Sequence, residues 1–257
     1  MDQRAQTGGP SKPQEPRADL GAERPEVRRR FALLRLLGRS PRLRHRLLLV
    51  AGLLSLAVVV ALAAFVRALA VLPFDLWATQ GLQAYEWAWL TRLMVWVSLP
   101  GYAPWSFLAV GVGTGLVALL LSWREGLYLV AVTAAQGLLN GAIKLAIGRP
   151  RPVEDLVEVF APVHGFSFPS GHVMFYTVFF GFLAFLAWAR LRPSALRLLL
   201  IALLLALVAL VGPSRIVLGA HWLSDVIAAY LLGGLVLVLA VEGYLHYLTP
   251  RAPAGPG

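Results

Sequence analysis

The chain has 257 residues, of which 58% are hydrophobic and only 14% charged, yet its net charge is +10. Together with a mean hydropathy of +0.71, this excludes a soluble globular domain and marks a polytopic membrane protein. The absence of cysteine excludes disulfides, thiolate metal sites and a thiol nucleophile.

The positive charge is concentrated at the N-terminus, where Arg28, Arg29, Arg30, Arg35, Arg39, Arg42, Arg44 and Arg46 precede the first apolar run. A basic segment beside a membrane span follows from topology and anionic headgroups. No basic groove interleaved with aromatics supports nucleic acid as a partner. Residues 1 to about 27 are polar and Pro-rich and predict a disordered tail. The expected division is a basic, largely disordered cytoplasmic tail over 1–45, a membrane domain over 46–248 and a short tail over 249–257.

The first predicted span is Leu47–Val66. "ALA" near residue 68 resembles a signal-peptide cleavage site, but the apolar run is too long for a signal sequence and a long segment precedes it, so the helix is expected to stay uncleaved. Further spans are predicted at Trp105–Trp123, Gly126–Ile147, Gly171–Ala189, Leu198–Val211 and Leu223–Leu245, each near the ~20 residues that cross hydrocarbon, with the fifth the shortest. The fold class is therefore all-α, a six-span bundle. Between the first two spans, residues 71–103 are apolar and aromatic but carry Glu86 and Arg92, and read either as a seventh span or as an interfacial helix. Charge bias decides for the latter. The connection "RLRPSALR", Arg190–Arg197, has three arginines and no acid, which places it with the N-terminal tail in the cytoplasm. Three crossings must then separate the tail from the loop at 148–170, so 85–99 lies in the outer interface and both termini are cytoplasmic.

Cations concentrate where this topology predicts few. Lys144, Arg149 and Arg151 flank the outer end of the third span and Arg215 that of the fifth. Two crossings separate the loop 148–170 from "SRIVLGAHWLSD", Ser214–Asp225, so both loops face one side and can form one site. Cations suit a phosphate, whose charge spreads over its oxygens during transfer. Ser170 falls where the fourth span starts, as an N-cap whose helix offers free N–H groups to an anion. His221 and Asp225 are spaced i, i+4, on one helical face if the sixth span starts there; the carboxylate would bind one ring nitrogen and leave the other free to attack.

Lys144-x6-Arg151-Pro152, then Pro169-Ser170-Gly171-His172, then Ser214-Arg215-x5-His221-x3-Asp225 resembles the three-part signature of the type 2 phosphatidic acid phosphatase superfamily, in order and in spacing. The resemblance implies a metal-independent phosphatase with no cofactor, acting through a phosphohistidine. His221 would be the nucleophile and Asp225 its orienting carboxylate. His172 would protonate the leaving oxygen and then activate water. Lys144, Arg151, Arg215, Ser170 and the backbone N–H of Gly171 would hold the phosphoryl oxygens, while Arg149 and Ser214 accompany them with no role assigned.

Bland alternatives weigh on single residues. Lys144 alone would only snorkel to headgroups, and a lone interfacial His is usually structural, which is the expectation for His45, His164 and His246. Gly111, Gly113, Gly115, Gly233 and Gly234 are expected to permit close helix packing, and the tryptophans at 77, 87, 89, 96 and 105 to form an outer aromatic belt. An anion transporter or channel would also use intramembrane charge, but these charges cluster at one face. A phosphotransferase passing the phosphoryl group to an alcohol stays open. The expected substrate is a membrane lipid phosphate or diphosphate: undecaprenyl diphosphate, phosphatidylglycerol phosphate, phosphatidic acid or diacylglycerol diphosphate, with a slight lean to the first. Oligomeric state is not encoded legibly.

Overall fold

The structure, a computed structural model, describes residues 41–247 apart from 86, 161 and 162. The expected tails over 1–45 and 249–257 lie outside the described residues, except for residues 41–45. Among the described residues the order is α1 (Pro41–Ala68), α2 (Pro73–Gln83), α3 (Ala88–Ser98), a 3-10 turn (Leu99–Gly101), α4 (Trp105–Leu120), α5 (Trp123–Ile147), α6 (Gly171–Arg190), α7 (Ala195–Val217) and α8 (Leu223–Tyr247). The all-α class and the multi-pass architecture hold.

Helices α1, α5, α6, α7 and α8 are each long and apolar enough to cross a membrane. Helix α4, with 16 residues, gives roughly 24 Å of helix against ~30 Å of hydrocarbon. It reaches span length only together with Ala88–Gly101, and the two are bent by 63° at their junction. The second expected span, Trp105–Trp123, is thus one arm of a bent pair, and residues 71–103 form two helices where one was expected.

Helix α6 is the hub, packed against α5, α7 and α8. Two thirds of its apolar window is buried, against about a tenth of the window in α5 and in α7. Lipid is as apolar as leucine, so helices associate in it through fit rather than through the hydrophobic effect. Gly113 admits Phe179 and Gly233 admits Thr177, where a Cβ would come within 2.7 and 2.9 Å. Gly111, Gly115 and Gly234 face open space, so a packing role does not extend to them.

Two helix ends position the site. Helix α5 is capped by Ser122, whose Oγ accepts the Glu125 N–H at 3.3 Å, and ends at Gly148, whose left-handed φ of 67° turns the chain into the loop that carries Arg149 and Arg151. Helix α7, expected to stop at Val211, runs on to Val217 through Pro213. Proline has no N–H for the carbonyl four residues back, which is Ala209. The Tyr230 hydroxyl lies 3.1 Å from that oxygen and 2.7 Å from Val208 O, and accepts the Gly212 N–H at 3.0 Å. It thereby satisfies the groups the proline disturbs. Ser214 and Arg215 consequently sit on the last helical turn, and the link to α8 shrinks to Leu218–Trp222.

The C-terminal ends of α5 and α7 and the N-terminal ends of α6 and α8 therefore meet at one end of the bundle. Helix dipoles favour cations at the former and anions at the latter, which suits Lys144 and Arg215 and leaves N–H groups for a ligand. At the opposite end, Glu125 is closed off by Arg190 at 3.3 Å and by the Tyr244 hydroxyl.

Candidate active site

Lys144, on the last turn of α5, and Arg151, in the loop after it, reach back across the chain. Lys144 Nζ donates to the carbonyls of Phe166 and, at 3.3 Å, Ser167. Arg151 donates through Nε to Gly165 O at 3.1 Å and through Nη1 to Ala220 O at 2.8 Å. That same Nη1 lies 3.1 Å from His221 Nε2. Ser167 ties the loop down from within, its N–H to Arg149 O and its Oγ to Pro150 O, both at 2.9 Å.

At the start of α6, Ser170 occupies the N-cap position but its side chain caps nothing. Its buried Oγ has no hydrogen-bond partner among the described residues, and neither does His172 Nε2. The His172 ring meets Tyr102 edge-on at 4.4 Å and rests against Gly101, where a Cβ would lie 2.2 Å from its Cδ2. The close approach needs a glycine. Gly171 likewise faces Asn140 Oδ1, 3.2 Å from where a Cβ would be.

Arg215 is fully buried. Its Nη1 donates to Ser98 Oγ at 3.1 Å and to the Tyr102 hydroxyl at 2.7 Å, with the guanidinium 5.0 Å from the Tyr102 ring centre. Its Nε and Nη2 have no partner among the described residues. Each buried donor left unpaired costs about 1–3 kcal/mol, so three such side chains from α6 and α7 mark a place built to receive acceptors.

His221 precedes α8 rather than starting it, since the helix opens at Leu223. The pair with Asp225 forms all the same, across the entering turn, with Nδ1 at 3.4 Å from Oδ2, the outer limit of a hydrogen bond. Asp225 Oδ2 also accepts the Trp222 N–H at 2.9 Å. Burial pushes the His221 pKa well below its usual 6.5, and the charges of Arg151, Lys144 and Arg215 push it the same way. His221 is therefore neutral at pH 7, with a lone pair to offer.

Lys144, Arg151, Ser170, Gly171, His172, Arg215, His221 and Asp225 thus share one end of the bundle. His164 is exposed. Ser214, which had no assigned role, has its Oγ 2.8 Å from Ser98 Oγ. Arg149 is buried and bridges two carboxylates, Asp75 Oδ2 at 2.6 Å and Asp225 Oδ1 at 2.5 Å. Sequence reasoning missed Asp75, Ser98, Gly101 and Tyr102, all from the ambiguous stretch 71–103 between the first two expected spans. A lone acid inside an apolar stretch was the available signal for Asp75; the other three carry none. Among the described residues no three His, Asp or Glu side chains cluster as a metal would need. Cationic donors, free helical N–H groups and a neutral imidazole make a site that can hold a tetrahedral anion and attack it.

The model of the PAP2 superfamily matches residues 125–246. Phosphatidylglycerophosphatase B of Bacillus subtilis is 32% identical over 161 residues, 61% of this chain and 75% of that protein. The lipid A 1-phosphatase of Rhizobium etli is 35% identical over 175 residues, 63% of this chain and 70% of that protein. Among solved structures, the transmembrane PAP2-type phosphatidylglycerolphosphate phosphatase from Bacillus subtilis superposes with a TM-score of 0.68 at 24% identity, covering 78% of this chain and 98% of that one. LpxE of Aquifex aeolicus follows with a TM-score of 0.53 at 19% identity over 68% of this chain and 98% of its own; these two likenesses show the fold. Motifs, helical frame and relatives agree, and the chain belongs to the PAP2 superfamily, among its membrane phosphatases.

Proposed function

We propose that the enzyme hydrolyses a lipid phosphate through a phosphohistidine at His221. The observation that carries this is the buried His221, its Nε2 3.1 Å from Arg151 Nη1, at the end of the bundle where Arg215, Ser170 and His172 leave buried polar atoms without a partner among the described residues. Lys144, Arg151, Arg215, Ser170 Oγ and the Gly171 N–H bind the phosphoryl oxygens. The arriving phosphate draws Arg151 from His221 Nε2 onto its own oxygens and frees the lone pair. Nε2 then attacks phosphorus while the P–O bond to the lipid breaks, and His172, which takes up a proton from solvent as the phosphate's negative charge arrives beside it, gives that proton to the departing oxygen. Water next attacks the phosphohistidine, His172 takes its proton, the P–N bond breaks and phosphate leaves. The Asp225 carboxylate accepts from Nδ1 and stabilises the positive ring during attack.

A groove of about 400 Å³ between α4, α5 and α6 supports a lipid substrate. It is lined by Phe107, Val110, Gln136, Asn140 and Phe175 and ends at Gly101 and Gly171, beside His172. Gln136 and Asn140 are buried amides one turn apart on α5, on the stripe that ends at Lys144. Asn140 reaches Pro169 O at 3.3 Å, whereas the Gln136 amide opens onto the groove. An unpaired amide in hydrocarbon is costly. The ester or amide carbonyls beneath the phosphate of an acyl lipid can pair with it; a polyprenyl chain cannot. The relatives named for phosphatidylglycerophosphate and lipid A fit this preference, and undecaprenyl diphosphate is the comparison substrate. The site faces the outer side of the cell membrane and both termini face the cytoplasm, from the arginine bias of the tail and of the Arg190–Arg197 link.

The test is phosphate release by purified protein in detergent with a chelator present, from phosphatidylglycerol phosphate, phosphatidic acid and undecaprenyl diphosphate. The acyl lipids should turn over faster and His221→Ala should abolish release. Release that survives in the variant overturns the mechanism, and faster turnover of undecaprenyl diphosphate overturns the substrate class. When an acceptor alcohol is added, free phosphate should still accumulate; its disappearance would identify a transferase.

A further inference from the structure

Arg149 lies between the phosphate-binding cations Lys144 and Arg151 in sequence, yet it points away from their work. It donates through Nε to Ala70 O at 3.0 Å, through Nη1 to Ser224 Oγ at 2.7 Å and Asp225 Oδ1 at 2.5 Å, and through Nη2 to Asp75 Oδ2 at 2.6 Å. Four of its five N–H groups are thus consumed by protein, leaving little for a substrate. Asp75, on α2, is as fully engaged: its two oxygens accept Ser224 N–H and Ser224 Oγ, both at 2.7 Å. It therefore caps the first turn of α8 from a different helix, where a negative charge meets free N–H groups. All three charged side chains are fully buried.

The arrangement divides the oxygens of Asp225 between two tasks. Oδ1 takes Arg149, and Oδ2 takes the Trp222 N–H and His221 Nδ1. A guanidinium beside an unshared carboxylate prefers two parallel hydrogen bonds, which would claim Oδ2 as well and leave His221 without its acceptor. Asp75 prevents this by holding Nη2.

We propose that Asp75 and Arg149 are positioning residues of the phosphatase reaction: Asp75 keeps Arg149 on one oxygen of Asp225, so that the other oxygen orients His221. The inference rests on the reading of His221 as the nucleophile. A merely structural ion pair is the rival account, since buried pairs often add only fold integrity. The two differ in what depends on Asp225.

The experiment is a double-mutant cycle between Asp75→Asn and Asp225→Asn, read by kcat and KM for phosphatidic acid and by nitrogen-15 spectra of His-labelled protein in detergent. Asp75→Asn should lower kcat about 10–100-fold, the range typical of losing a group that orients a reactive ring, with KM within a few-fold. In the Asp225→Asn background the same change should add almost nothing to the loss. The His221 signal, assigned with His221→Gln, should report one tautomer protonated at Nδ1 in the wild type and a mixture in Asp75→Asn. Multiplying losses in the cycle, or an unchanged His221 signal with unchanged kcat, overturns the proposal. The spectra decide it even if phosphatidic acid is not turned over, a result that would instead tell against the reading of function. If Asp75→Asn does not fold, Arg149→Lys takes its place: a lysine cannot bridge both carboxylates, and the same loss and the same mixed signal are expected.

Discussion

Replacing Gly101 by alanine tests whether the position of His172, and not only its presence, limits the reaction. The added Cβ would lie 2.2 Å from His172 Cδ2, 2.7 Å from Nε2 and 2.8 Å from Cγ. Carbon atoms in contact prefer about 3.5–4.0 Å, so the ring must retreat by more than ~1 Å. A displacement of that size costs roughly 100-fold in rate. Gly101 does not have a left-handed φ, so alanine suits its backbone and the fold should lose only about 1–3 kcal/mol, as overpacking does. The assay isolates the first half-reaction by comparing diacylglycerol release in a single turnover of phosphatidic acid with the nitrophenolate burst from 4-nitrophenyl phosphate, because the later attack of water on the phosphohistidine needs His172 with either substrate. The lipid alkoxide needs the proton of His172 to depart; the nitrophenolate hardly does. Gly101→Ala should therefore slow the lipid reaction by about two orders of magnitude and the aryl reaction far less. Equal losses on both substrates, or no loss, would refute the role given to His172.

Other outcomes follow from the same geometry. Because burial and three cations hold the His221 pKa well below 6.5, the ring stays neutral until pH falls past that lowered value; the acid limb of kcat/KM should lie below pH ~6.5, and a limb above pH 7 would contradict it. Full activity should persist in a chelator, and loss restored by Mg²⁺ would replace the mechanism. Gly219→Ala forces alanine to a φ of 63° and puts a Cβ 1.9 Å from Glu158 O; it should destabilise by about 2–4 kcal/mol, seen as a lower thermal midpoint in detergent. A reporter fused after residue 257 should be cytoplasmic, and an external one would invert the orientation.

The site and the fold were legible to different depths. Seven of the eight motif residues carry polar or charged side chains at fixed spacing, and Gly171 is marked by having none, so a sequence displays them directly. Gly101, Ser98 and Tyr102 act only through partners far along the chain; Tyr102 meets Arg215 across 113 positions, and no local pattern records such a contact. Spans α5, α6 and α8 follow from uninterrupted apolar runs and were placed within a few residues. Helix α7 was cut short because Pro213 reads as a stop, and its continuation depends on Tyr230 of a different helix. Helix α4 was overestimated because hydropathy runs on past Leu120, while the chain turns at Leu121 and caps a new helix at Ser122.

The junction of Gly212, Pro213 and Tyr230 ties three positions into one unit of variation. A Cβ at Gly212 would fall 2.6 Å from the Tyr230 ring, so a larger residue there evicts the tyrosine, and the carbonyl abandoned by Pro213 then has no donor. Trading Tyr230 for phenylalanine keeps the shape but silences the hydroxyl, and should loosen the final turn of α7 and Arg215 with it. Pro213 can revert to an ordinary helix former on its own; neither neighbour can change first. Substitution along this stretch is accordingly ordered, with the proline as the one permissible opening step and the anchor of the buried Arg215 as what is at stake.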